Sequence, residues 1–146
     1  MKKFSKILLA ALLLGVSFWT FEAPKAEAAS SSWSTQHGIR AMVYTDRSGN
    51  YPKSDSYIGV TGKKTAAGGK VYYRMELDQR KNGAWIKRGT IRGEFSSQTP
   101  MKKFHIDNYL KKGQSGTFRV MLKIWKEKSE INWLGDHITN SFKVYN

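Results

Sequence analysis

Polar and apolar residues alternate with a period of two along much of this 146-residue chain. The clearest run is Lys70–Asp78. Val71, Tyr73, Met75 and Leu77 point one way; Lys70, Tyr72, Arg74, Glu76 and Asp78 point the other. That period makes a half-buried strand. Thr117–Lys126 repeats it, with Phe118, Val120, Leu122 and Ile124 inside and Arg119, Met121, Lys123 and Trp125 outside. Ile138–Tyr145 sets Ile138, Phe142 and Val144 against Thr139, Ser141, Lys143 and Tyr145. Further strands are predicted at Ile39–Tyr44, Tyr57–Thr61, Ala84–Phe95 and Met101–Ile106, which brings the number to seven. The segments 46–56, 62–69, 107–116 and 129–137 are rich in Gly, Asn and charge and read as loops. No segment sustains a 3.6-residue period.

Seven loop-punctuated strands predict an all-β fold, a single antiparallel β-sandwich, with a small β-barrel as second choice. Gly116-Thr117-Phe118-Arg119-Val120, a loop, and Ser141-Phe142-Lys143-Val144 resemble the last two strands of immunoglobulin-like modules. The resemblance covers about thirty residues and implies an immunoglobulin-like sandwich. No disulfide can staple it, because the chain has no cysteine.

The strands on either side of Asn82-Gly83 form a hairpin. A two-residue turn would place Leu77 opposite Arg88 and Tyr73 opposite Arg92, mixing core and solvent faces. A three-residue loop, Lys81-Asn82-Gly83, pairs Arg80 with Ala84, Tyr73 with Ile91 and Glu76 with Arg88. The hydrophobic pattern therefore favours the longer loop. It leaves Lys87 on the inner face, snorkelling past the sheet end.

The first 28 residues read differently. Met1–Lys6 is basic, Ile7–Phe21 is almost unbroken apolar, and Ala26-Glu27-Ala28 has the small residues of a cleavage site. That is a secretory signal peptide in the style of Gram-positive leaders. Its 15-residue apolar run is short of the roughly 20 that a spanning helix needs. Residues 29–38 are polar and read as a flexible lead-in to a domain at 39–146. Removing 28 of the 146 residues leaves 118, one domain's worth. The expected product is secreted and monomeric, associated with the cell wall without a covalent anchor.

Charge narrows the partners. After removal of the leader, 21 Lys and Arg face nine Asp and Glu, a formal charge of +12. Small soluble domains usually stay within a magnitude of about 2–8. Such an excess attracts polyanions. Outside a cell these are teichoic acid-like polymers, anionic polysaccharides and anionic membrane surfaces; nucleic acid fits an exported protein poorly. The plainer reading is a solvated surface that guards strand edges.

Candidate chemistry is thin. His105 lies near Asp107, and His137 follows Asp136, but three histidines scattered along the chain give no cluster. No Ser sits in a Gly-x-Ser-x-Gly elbow. Glu76 and Asp78 share a strand face about 7 Å apart. Basic neighbours would keep both ionised, which suits ion pairs and not a general acid. Gly62-Lys63-Lys64-Thr65 lacks the upstream glycine of a phosphate loop, where Tyr57 stands instead. Residues 46–55 lack the alternating acids of a calcium loop. No cofactor, metal or catalytic residue is expected. What remains is a basic face interleaved with aromatics: Tyr72, Arg74, Arg88, Arg92, Arg119, Lys123, Trp125, Lys143 and Tyr145. Cations bind phosphates, and aromatic faces stack on sugars or lipid interfaces. The 129–137 loop lies close enough in sequence to cover Trp125. The expected function is non-enzymatic binding of an anionic envelope polymer or glycan. The alternatives are an antimicrobial or toxin-like protein acting on anionic membranes, and an extracellular structural or interaction module.

Overall fold

The computed structural model describes residues 28–146; the expected signal peptide lies, apart from Ala28, outside them. In chain order the strands are β1 (Ala28–Ser30), β2 (Ser34–Gln36), β3 (Ile39–Ser48), β4 (Tyr57–Lys64), β5 (Val71–Lys81), β6 (Ala84–Phe95), β7 (Lys102–His105), β8 (Ser115–Trp125), β9 (Trp133–Ile138) and β10 (Phe142–Tyr145). They form two five-stranded antiparallel sheets. The first runs β1-β3-β4-β7, with β2 also on β3; the second runs β10-β8-β5-β6, with β9 also on β8. Neither sheet closes on itself, so the molecule is a sandwich and not a barrel.

The alternating strands supply the core. Val71, Met75, Leu77, Val120, Leu122 and Ile124 are all fully buried, and they face Ala41, Val43, Ile58, Val60 and Phe104 of the first sheet. Burying one such side chain stabilises the fold by about 1.5–3 kcal/mol.

The segment expected as a flexible lead-in carries two short strands. Ala28–Ser30 and Ser34–Gln36 pair with β3, and Ala29 is buried. Ser31 explains how so polar a stretch docks. Its N–H donates to the Val43 carbonyl at 2.8 Å, and its hydroxyl accepts the Val43 N–H at 2.9 Å. A short polar side chain here replaces a ladder bond, which composition alone reads as a loop.

The β5–β6 hairpin departs from the expected register. Lys81 pairs with Ala84, so the turn is Asn82-Gly83, with φ of 49° and 81°. Two positive φ values define the turn whose twist matches the flanking strands. Face parity is restored by a bulge. Asp78 pairs with Lys87 and Leu77 with Gly89, leaving Arg88 as the extra residue. Beyond it Tyr73 meets Gly93 and Glu76 meets Thr90, two residues along from the partners expected. The bulge also sends Lys87 to the outer face, 3.5 Å from Glu76. Gly83→Ala forces a side chain into left-handed backbone, so thermal melting should show a loss of about 1–2 kcal/mol.

The other departure is at the C-terminal end. Residues 133–137, expected as loop, join Ile138 in β9 on the distal half of β8, while β10 takes the proximal half. The two short strands line up along one edge. Ile138 therefore faces out, 40% exposed, and His137 faces in. Between the strands Thr139 completes the ladder: its hydroxyl accepts the Val120 N–H at 3.0 Å.

His137 is almost fully buried and hydrogen-bonds Ser34 through Nδ1 at 2.9 Å. Desolvation pushes its imidazole below the ordinary value, against a smaller upward pull from Asp136. The unfolded chain then binds the proton more readily than the fold does. Stability is present above the ordinary pKa and falls as pH drops below about 6.5. Urea melts between pH 7 and 5 should show that slope, and it should flatten in His137→Gln.

Candidate functional site

Eight of the nine residues singled out by the alternation come together on the outer face of the second sheet. Tyr72 and Arg74 lie on β5, Arg92 on β6, Arg119, Lys123 and Trp125 on β8, and Lys143 and Tyr145 on β10. Arg88 does not join them. As the bulge residue it turns away, and its Nη2 donates to the Tyr109 carbonyl at 3.4 Å.

The face is not a uniform sheet of free cations. Its half beside the 126–132 loop is a carboxylate-bridged network. Glu76, 6% exposed, has Arg74 Nε at 2.8 Å, Lys87 at 3.5 Å and Lys123 at 3.8 Å. Lys123 also approaches Asp136 at 4.0 Å. Glu130 folds back from the loop to bridge Arg74 Nη1 and, at 3.1 Å, Arg92 Nε. Trp125 lies beneath the Arg74 guanidinium, 5.0 Å from ring centroid to Cζ, and is only 7% exposed. Its own loop covers it. A hollow of about 230 Å³ remains, lined by Tyr72, Arg92, Trp125, Lys128 and Glu130 among others.

The half beside the hairpin is open. Arg80 pairs with Trp85, and continuing the β5–β8 register sets Arg80 level with Thr117. Thr117 in turn pairs with Lys143, and Ser115 with Tyr145. Trp85, Arg80 and Lys143 thus share one row across four strands. The Arg119 guanidinium stacks on the Trp85 ring at 4.4 Å while Arg80 approaches it at 5.9 Å. Arg119 also pairs with Asp78 at 3.1 Å. Among the described residues, Arg80 and Lys143 have no carboxylate within 4.0 Å.

Cations also occupy the outer face of the first sheet. Lys63 lies over Tyr44 at 5.3 Å, Lys103 over Tyr57 at 4.2 Å, and Arg40 over Trp33 at 5.5 Å. Asp46 is close by, accepting from the Tyr51 hydroxyl at 2.6 Å and the Gly59 N–H at 2.9 Å. The positive charge is therefore spread over both faces. Arg80, Trp85 and Glu130 are the site residues that sequence reasoning missed. A two-residue turn would have placed Arg80 against Trp85. Nothing local in the sequence points to Glu130.

Two unclosed antiparallel sheets packed core to core, with charge and aromatics on the outer faces, make this a macroglobulin-type β-sandwich. The chain belongs to the YqgA MG2 macroglobulin domain family, whose model matches residues 26–145. It is 34% identical over 131 residues to the cell wall-binding protein YqgA of Bacillus subtilis strain 168, spanning 88% of this chain and 89% of the relative. No solved structure matches it.

Proposed function

We propose that this chain is an exported, non-enzymatic cell-wall-binding domain that holds an anionic wall polymer of the teichoic acid type. The observation that carries the reading is the open half of the second sheet. There Trp85 is flanked by Arg80 and Arg119, in line with the free cation Lys143. Hydrogen-bonded strands in fixed register present these charges at fixed spacing. A repeating polyanion needs such a row more than it needs a deep pocket. The aromatic ring gives the polymer's organic units an apolar contact between charges. A relative named for cell-wall binding supports the reading, as does the formal charge of +12 outside the leader.

The membrane-active alternative finds less support. Trp133 is 44% exposed, but its indole N–H donates to Asp136 at 2.8 Å and its ring meets His37 edge-on. A ring tied to its own sheet is poorly placed to enter a bilayer. The test is retention on purified walls before and after extraction of their anionic polymers, over a salt series, with dye release from anionic vesicles alongside. The proposal expects retention on intact walls that weakens with salt, loss on extracted walls, and intact vesicles. Equal, salt-indifferent retention on extracted walls, or dye release, contradicts it.

A further inference from the structure

The covered half of the same face holds an anion site that is already filled. Arg74 and Arg92 pair across β5 and β6, and their guanidiniums converge on the two oxygens of a single carboxylate. One oxygen to each guanidinium is also the arrangement that two non-bridging phosphate oxygens would take. The carboxylate belongs to Glu130, on a loop whose backbone is unusual there. Glu130 and Asn132 both adopt left-handed φ, 59° and 55°, although neither is glycine. Such conformations persist where surrounding contacts hold them. Here those contacts are the clamp, the Asn132 amide bonded to Glu127 at 2.8 Å, and two backbone bonds, from Glu130 N–H to the Glu127 carbonyl at 3.1 Å and from Lys126 N–H to the Asn132 carbonyl at 3.0 Å. Arg74 Nε, buried and 2.8 Å from Glu76, lacks the alignment of a hydrogen bond, so this guanidinium is incompletely satisfied. Partial desolvation pushes the Glu130 carboxyl up, but Arg92 and Arg74 outweigh it and hold it below its ordinary value.

We propose that Arg74 and Arg92 form a subsite for one phosphodiester of the wall polymer, and that Glu130 occupies it in the free protein as an internal surrogate. This rests on the reading of the open half as polyanion-binding. The polymer lies along the row of Arg80, Trp85 and Lys143 and extends towards the hollow. There a phosphate displaces the Glu130 carboxylate, and the 126–132 loop swings out. An occupied subsite lowers apparent affinity by the fraction of molecules in which it is free.

Glu130→Gln tests this, with Asp55→Asn as the charge-matched control away from this sheet face. Asp55 lies in the loop before β4, away from the hollow, and like Glu130 holds an arginine, Arg47, at 2.7 Å. The probe is soluble poly(glycerol phosphate), titrated against the full domain. If Glu130 fills the clamp nine-tenths of the time, its loss raises affinity roughly ten-fold. Asp55→Asn should produce only the small general gain of one negative charge removed. Arg92→Gln should change little in the native chain and abolish the gain in the Glu130→Gln background, a coupling that general electrostatics does not produce. Equal gains from Glu130→Gln and Asp55→Asn overturn the subsite, as does a gain that survives Arg92→Gln. An equal gain with polygalacturonate overturns the assignment to phosphodiesters. If the unmodified domain fails to bind any polyanion, the broader functional reading falls instead.

Discussion

Replacing Arg80 and Lys143 together by Gln should lower affinity for intact cell wall by roughly 30-fold at low salt. A cation beside a dense anionic surface contributes on the order of 1 kcal/mol. Two such charges give about 2 kcal/mol, and each 1.4 kcal/mol is ten-fold. Adding Arg119→Gln should bring the loss to on the order of 100-fold, because the stack on Trp85 goes with it. That third change has a structural side effect. Asp78 is 5% exposed and pairs with Arg119 at 3.1 Å, so the triple variant should also melt earlier. Arg80 and Lys143 have no such partner, and the double variant isolates binding from stability. All losses should shrink in physiological salt, where the Debye length is roughly 8 Å. A double variant that binds as tightly as the native chain would remove the open half from the account.

The largest stability effect should come from Tyr51→Ala. Tyr51 lies in the loop between β3 and β4 and is 1% exposed. Its ring packs on Phe142 at 5.4 Å, and its backbone is stitched to β10. Its N–H donates to the Lys143 carbonyl at 2.8 Å, and the Tyr145 N–H donates to the Tyr51 carbonyl at 2.9 Å. Burial, helped by the hydrogen-bonded Asp46 carboxylate, pushes the phenol far above its ordinary pKa. Removing the ring empties a core site that joins the two sheets, and such truncations lose about 3–5 kcal/mol. Tyr51→Phe keeps the ring and loses only the bond to Asp46, about 1.5–3 kcal/mol. Chemical denaturation of the three proteins should rank them in that order. Because β10 carries Lys143 and Tyr145, Tyr51→Ala should also loosen wall binding before the fold melts. A Tyr51→Ala protein within 1 kcal/mol of the native chain would mean the loop contributes little to joining the sheets.

The long strands were legible because burial imposes a period of two on them. β5 and β8 show inner and outer sets that match the sandwich residue for residue. What the period cannot reveal is an insertion. At Arg88 one extra residue restores the parity that the Asn82-Gly83 turn would break, and a strict alternation reads this as a longer loop. Strands too short for a period were also hidden. β1 and β2 are held by serine hydroxyls and backbone bonds, so their composition looks like that of a linker. The face itself was half legible. Tyr72, Arg74, Arg119 and Lys143 follow from alternation. Whether a given cation is free depends on carboxylates brought from elsewhere, as Glu130 is brought to Arg92 from 38 residues along the chain. The expectation of a basic face interleaved with aromatics did not anticipate that acids would gather among those cations.

The central claim is that the polymer lies on the hairpin end of the second sheet. Titrating soluble poly(glycerol phosphate) into isotope-labelled protein and following backbone amide shifts tests it residue by residue. The account predicts the largest shifts at Arg80, Trp85, Thr117, Arg119, Lys143 and Tyr145, then at Arg92 and Glu130 as the loop is displaced. Shifts confined to the first sheet around Lys63 and Lys103, or no saturable shifts at all, would contradict it.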